Sequence, residues 1–198
     1  MNKLTLVKIA AWSVVVVLLI AVAAVTLRPA GTPATMLGMT GEPFALASTS
    51  GTRFTEGSLR GAPSLLYFGY TSCPDACPIT LAAPAAYREQ LKISPDELRI
   101  ILVSVDPERD TLPVLKNYLS GFGTPMIGLS GSTSEVEAAK TAFGGYSKKG
   151  AVEGAGSYSV HHTATVFLTD RNGGFEGTID YGENASTALA KIKRLISD

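Results

Sequence analysis

Ser64-Leu65-Leu66-Tyr67-Phe68-Gly69-Tyr70 runs without a break into Thr71-Ser72-Cys73-Pro74-Asp75-Ala76-Cys77-Pro78. The first part is continuously apolar and aromatic, the pattern of a strand buried on both faces. The second part punctuates it with proline and cysteine, and from Pro78 to Leu91 the composition turns helical, with Pro84 as a kink or early distortion. Working downstream, Arg99 to Val105 reads as a second buried strand, Thr111 to Leu119 as a helix with Asp110 as its N-cap, and Met126 to Leu129 as a third, short strand. Strands alternating with helices imply parallel βαβ units.

Ser132 to Phe143 is a further helix, opened by a capping box of Ser132 and Glu135 and closed by Gly144-Gly145. A looser stretch from Tyr146 to Ser159 leads to a strand over Thr163 to Thr169. Asp170-Arg171-Asn172-Gly173-Gly174 turns that strand back into Phe175 to Tyr181 as an antiparallel hairpin. Ala185 to Ile196 closes the chain as a helix with Lys191, Lys193 and Arg194 near its C-terminal end, where cations complement the helix dipole. Upstream, Phe44-Ala45-Leu46 and Thr52-Arg53-Phe54 form a second hairpin. The order predicts an α/β fold, a central mixed sheet with helices on both faces. Such sheets place their sites at the C-terminal ends of the parallel strands, a position met by Cys73 to Cys77 and by Asp106 to Thr111.

The 198 residues suit one compact domain after an N-terminal segment. Lys plus Arg equals Asp plus Glu at 17 each, with no run of like charge, which argues against a nucleic-acid partner. Ile9 to Leu27 carries no charge and is long enough to cross a bilayer as one helix; Lys3 and Lys8 before it keep the N-terminus inside. A cleaved secretory signal ending near Ala21-Val22-Ala23 is the competing reading, but the apolar run exceeds the usual signal core. The expected organisation is a cytoplasmic N-terminus (1–8), a transmembrane anchor (9–27), a flexible tether (28–41) and a soluble domain (42–198). A bacterial inner membrane, crossed once, with the domain in the periplasm, fits that pattern.

Only two cysteines occur, too few for a disulfide framework, so their closeness needs a local explanation. A reversible disulfide and a metal chelate both satisfy it. Cys73 falls where a strand gives way to a helix, so the free N–H groups of the first turn and the helix dipole should lower the pKa of these thiols. Pro74 and Pro78 stiffen the loop. Two soft thiolates select Cu(I) over hard ions, and one imidazole would complete a three-coordinate site. Structural zinc takes four protein ligands and is less well served here. His161 and His162 are the only histidines, and the alternation of a strand lets at most one of them face the cysteines. Met36 and Met39 read as incidental residues of the tether, and Met126 as core packing.

Tyr67-Phe68-Gly69-Tyr70-Thr71-Ser72-Cys73-Pro74-Asp75-Ala76-Cys77-Pro78, taken with Val103-Ser104-Val105-Asp106-Pro107-Glu108-Arg109-Asp110-Thr111, closely resembles the Sco/SenC family of copper chaperones. The resemblance runs through nearly the whole soluble part and includes the anchor. It implies a thioredoxin-like fold and a copper site made by Cys73, Cys77 and one distant histidine. That histidine precedes Ser or Thr in the family, which maps it onto His162. His161 then stands where the family commonly has Asp, leaving Cu(II) affinity open beside Cu(I). The implied partner is the cytochrome c oxidase subunit that carries the CuA centre, served by ligand exchange without enzymatic turnover. The alternative is a thiol-disulfide reductase or redox sensor cycling a Cys73/Cys77 disulfide, which needs no histidine. A peroxiredoxin-like activity is disfavoured, because Thr71-Ser72-Cys73 is one residue short of Thr-x-x-Cys.

Overall fold

The computed structural model describes residues 37–152 and 157–197, together with Trp12. In chain order the elements are β1 (Ala45–Ser48), β2 (Arg53–Thr55), a 3-10 turn (Glu56–Leu59), β3 (Ser64–Gly69), α1 (Ala76–Leu91), β4 (Arg99–Ser104), α2 (Leu112–Ser120), β5 (Ile127–Ser130), α3 (Thr133–Phe143), β6 (Ser147–Lys149), β7 (Val160–His162), β8 (Val166–Thr169), β9 (Phe175–Ile179) and α4 (Ala185–Ser197).

β3 is buried at every position because it lies inside the sheet, parallel to β4 on one side and antiparallel to β8 on the other. The whole sheet runs β2-β1-β5-β4-β3-β8-β9 and is mixed, with β3, β4 and β5 parallel. Successive strand residues face opposite ways, and β3 shows what covers each face. Tyr67 meets Cys77 of α1, whereas Phe68 packs edge-on against Phe143 of α3 with ring centroids 6.0 Å apart. Helices therefore cover both faces, as the sequence pattern requires. Phe68, Phe143 and Phe167 form a mutual aromatic cluster on the α3 side, which fixes the register of β3 against β8.

Local signals placed most boundaries well. The Ser132–Glu135 capping box forms reciprocally, and Gly144 caps α3 in the left-handed region at φ 64°. α1 begins at Ala76, two residues before the expected Pro78, so that Cys77 lies in its first turn. Pro78 fits there because the first N–H groups of a helix have no partner within it. Pro84 remains inside α1 and leaves the Thr80 carbonyl without its usual helical donor.

Two expectations change. The strand expected over Thr163 to Thr169 is confined to β8, and the residues just before it form the separate strand β7. β7 leaves the main sheet and, among the described residues, pairs only with β6, in a two-stranded antiparallel sheet with Lys148 opposite His161 and Ser147 opposite His162. Asp110 is not the N-cap of α2; Thr111 occupies that position, and the Asp110 carboxylate is turned inward. At the other end of the chain, Leu37–Thr40, read as the end of a tether, are hydrogen-bonded to the body: Gly38 N–H to the Gly173 carbonyl and Met39 N–H to that of Ala142, both at 2.9 Å. The expected anchor and most of the tether, 9–36, fall outside the described residues but for Trp12. Among the described residues, no helix is long and apolar enough to cross a membrane.

Candidate metal centre

The loop between β3 and α1 is held from below. Asp110 is fully buried and its carboxylate accepts three hydrogen bonds: from Thr71 N–H at 3.0 Å, from the Thr71 hydroxyl at 2.6 Å and from the Ser104 hydroxyl at 2.6 Å. Thr71 lies just before Cys73, so this carboxylate fixes where the loop departs from the sheet. Cys73 then bends back over the start of α1, and its Sγ accepts the Cys77 N–H at 3.4 Å. Asp75, at the N-cap, makes no side-chain cap bond. The sulfur of Cys73 does that work in its place.

Cys77 points inward and has no exposed surface. The Tyr67 hydroxyl donates to its Sγ at 3.6 Å, and Gly69 leaves room for it, since a Cβ there would lie 3.0 Å from the same sulfur. β7 brings His162 over this pair. Its Nε2 stands 3.5 Å from Cys77 Sγ, and its Nδ1 lies 3.0 Å from the Thr163 carbonyl. A carbonyl oxygen can only accept, so Nδ1 carries the proton and Nε2 presents its lone pair to the sulfurs. The rings of Tyr67 and Tyr70 meet the imidazole edge-on, at centroid distances of 5.7 and 5.8 Å. One ligand atom from each of Cys73, Cys77 and His162 lies within 4.8 Å of the others. Bonds of about 2.0–2.3 Å from nitrogen and sulfur to one ion require donor separations in this range. Two sulfurs and an imidazole nitrogen form a soft set that suits Cu(I).

The expected lowering of both thiol pKa values holds for only one of them. Burial raises that of Cys73, but hydrogen bonds from the N–H groups of Asp75, Cys77 and Ala76 outweigh it, and the net shift is downward. Cys77 is pushed up to about 12, first by burial and then by the neighbouring Cys73, against the opposing pull of its bonds to the Tyr70 backbone and the Tyr67 hydroxyl. The helix terminus acts on the cysteine outside its first turn rather than the one inside it. Iodoacetamide should therefore label Cys73 of the metal-free protein well before Cys77 at about pH 8, because the thiolate is the reactive form. The Cys73 rate should rise with pH through a midpoint lower than that of Cys77, in keeping with the downward shift of its thiol. Mass-spectrometric mapping of label against pH checks this, and equal rates at the two positions would contradict it.

His161 is exposed, on the face of β7 away from the cysteines, as strand alternation demands. Met39 is exposed near Gly144, and Met126 packs against the core. Met36 lies outside the described residues. Sequence reasoning did not single out Tyr67, Asp110 as an internal acceptor, or Tyr158, whose hydroxyl donates to Asp106 Oδ1 at 2.8 Å. The aromatic run of β3 contained the Tyr67 signal, since a phenol inside a fully buried strand must find a polar partner. Tyr158 sits in a stretch with no periodicity and carried no such signal.

Comparison with known proteins agrees with this geometry. A family model described as SCO1/SenC matches residues 33–197. The mitochondrial protein SCO2 of Saccharomyces cerevisiae is 35% identical over 159 residues, covering 79% of this chain and 52% of the yeast protein. The chain spans about half the length of curated relatives of this kind. Among solved structures, Bradyrhizobium japonicum ScoI with copper bound is 38% identical with a TM-score of 0.70, covering 77% of this chain and 97% of that one. BsSco, a member of the Sco family of cytochrome c oxidase assembly proteins in which a disulfide switch has been identified, is 26% identical with a TM-score of 0.59, covering 79% and 92%.

Proposed function

From the premise that the chain belongs to the SCO1/SenC family, we propose that it is a copper chaperone holding one copper ion between Cys73, Cys77 and His162. The observation that carries this reading is the His162 imidazole, 3.5 Å from Cys77 Sγ through the one nitrogen free to coordinate. What sets it apart from a bare dithiol is that the imidazole adds a third donor to the two sulfurs, all within 4.8 Å of one another. Copper is cargo here. Cys73, the more accessible thiol, is the ligand a partner's thiolate can replace first, while Cys77 stays buried and holds the ion until exchange is complete. The partner we assign is the CuA-bearing subunit of cytochrome c oxidase, in keeping with the assembly role stated for BsSco. Residues 9–27 serve as a single-pass anchor in a bacterial inner membrane, with the copper domain in the periplasm, a reading supported by the uncharged run and the lysines before it.

A second reading is favoured by the contrast between the thiols. Cys73, accessible and with a lowered pKa, can attack a partner disulfide; Cys77 then displaces the partner's thiol from the mixed disulfide, and two electrons and two protons pass to the partner as the Cys73–Cys77 bond forms. Anaerobic Cu(I) titration separates the two readings. The parent should bind one Cu(I) tightly and His162→Ala at least about 10–100-fold more weakly. His161→Ala should stay within about twofold of the parent, as its side chain faces away. Undiminished binding by His162→Ala would leave a dithiol site and favour the redox account.

A further inference from the structure

The histidine strand is not part of the main sheet. Among the described residues β7 pairs only with β6, so no ladder of the central sheet fixes the distance between His162 and the cysteines. A chain of side-chain hydrogen bonds does so instead. The Thr71 hydroxyl and N–H donate to Asp110; the Ser104 hydroxyl donates to Asp110 Oδ2 at 2.6 Å and accepts the Asp106 N–H at 3.0 Å. Asp106, only 4% exposed, pairs through Oδ2 with Arg109 Nε and accepts the Tyr158 hydroxyl at Oδ1. Tyr158 stands four positions before His162. Its ring is further gripped by two cations, the Arg109 guanidinium 3.7 Å and the Lys149 ammonium 3.9 Å from its centroid. Val160 N–H donates to the Tyr70 hydroxyl at 3.2 Å, within the same short strand as His162.

We propose that the turn from Asp106 to Asp110 is a two-armed brace for the metal site, with Asp110 positioning the cysteine loop through Thr71 and Asp106 positioning His162 through Tyr158. The inference rests on the copper reading above. Its physical content is that the Asp106–Tyr158 arm holds the imidazole in place before the ion arrives, so that binding does not have to order the β6–β7 arm. Parting of this arm frees His162 and leaves copper on the thiolates alone, the form most open to ligand exchange. Tyr158, Asp106 and Arg109 are positioning residues and touch no donor atom of the site.

A double-mutant cycle tests this. Tyr158→Phe removes the hydroxyl and keeps the ring for Arg109 and Lys149. In the parent background it should weaken Cu(I) binding about tenfold, the lower end for loss of an outer partner of a metal ligand. In the His162→Ala background it should change binding less than about twofold, because the strand it holds no longer carries a ligand. Equal losses in both backgrounds, or none in the parent, would overturn the proposal. A metal-free measurement stands beside it. In the apo protein, Tyr158→Phe should speed amide hydrogen exchange at Val160 and Thr163 about tenfold while amides of β3 and β4 keep their rates. Unchanged exchange at Val160 and Thr163 would overturn the brace. Should the parent bind no copper, the function proposed above fails and the exchange result alone decides the brace.

Discussion

Cys77→Ser should leave the domain folded and remove its tight copper binding. The Cys77 side chain has no exposed surface, and its sulfur accepts the Tyr67 hydroxyl. Truncation to Ala would orphan that buried phenol at a cost of about 1–3 kcal/mol, whereas Ser supplies an acceptor in nearly the same place. The serine hydroxyl is a hard, neutral oxygen, and Cu(I) discriminates strongly against it. The expected loss exceeds about 100-fold, more than removal of an outer partner produces. Cys73→Ser should behave in parallel, since the Cys73 sulfur accepts a first-turn N–H of α1 and a serine hydroxyl can likewise accept it. Thermal denaturation and an anaerobic Cu(I) competition assay, run on both variants, check the two halves of the statement. Binding within about tenfold of the parent would show that the site is not the one described.

What the sequence revealed in advance was what local chemistry decides. β3 could be read because a strand buried on both faces must be apolar throughout, and α3 because Ser132 and Glu135 make contacts within one turn. The turn at Asp170 to Gly174 belongs to the same class, with Asp170 Oδ1 accepting the N–H groups of Asn172 and Gly174. The metal centre was legible only in part. Cys73 and Cys77 announce themselves by spacing, but strand alternation could say only that one of two histidines faces them, and resemblance to the family was needed to choose His162. β6 was missed because Ser147-Lys148-Lys149 is polar at every position and pairs with a strand that follows a long intervening stretch. The opposite shifts of the two thiols also escaped the sequence: proximity to a helix start applies equally to both, and only the fold shows that one sulfur collects N–H groups while the other is buried. Asp110 was misassigned for a related reason. An Asp just before a helix resembles a cap, and only the three-dimensional arrangement of Thr71 and Ser104 turns it inward.

That inward carboxylate leads to the second large effect: Asp110→Ala should destabilise the apo domain by about 3 kcal/mol or more, and Asp110→Asn by about 1 kcal/mol. Its two oxygens receive Thr71 N–H, the Thr71 hydroxyl and the Ser104 hydroxyl. Hydrogen bonds to a charged acceptor contribute about 1.5–3 kcal/mol each, and part of their sum offsets the cost of burying the charge. Ala removes the acceptor for all three donors and opens a cavity where the loop meets the sheet. Asn can place its oxygen at the Oδ2 position, keeping Thr71 N–H and Ser104, and present its amide to the Thr71 hydroxyl, which can rotate to accept. The two variants thus separate the number of donors satisfied from the charge itself. Urea denaturation of the metal-free protein gives the stabilities. Cu(I) titration of the Asn variant, which stays folded, shows how far a loop held at Thr71 governs a site whose three ligands are all intact. Equal costs for Ala and Asn would mean that the charge matters and the bond count does not; a cost below about 1 kcal/mol for Ala would mean that the loop is held elsewhere.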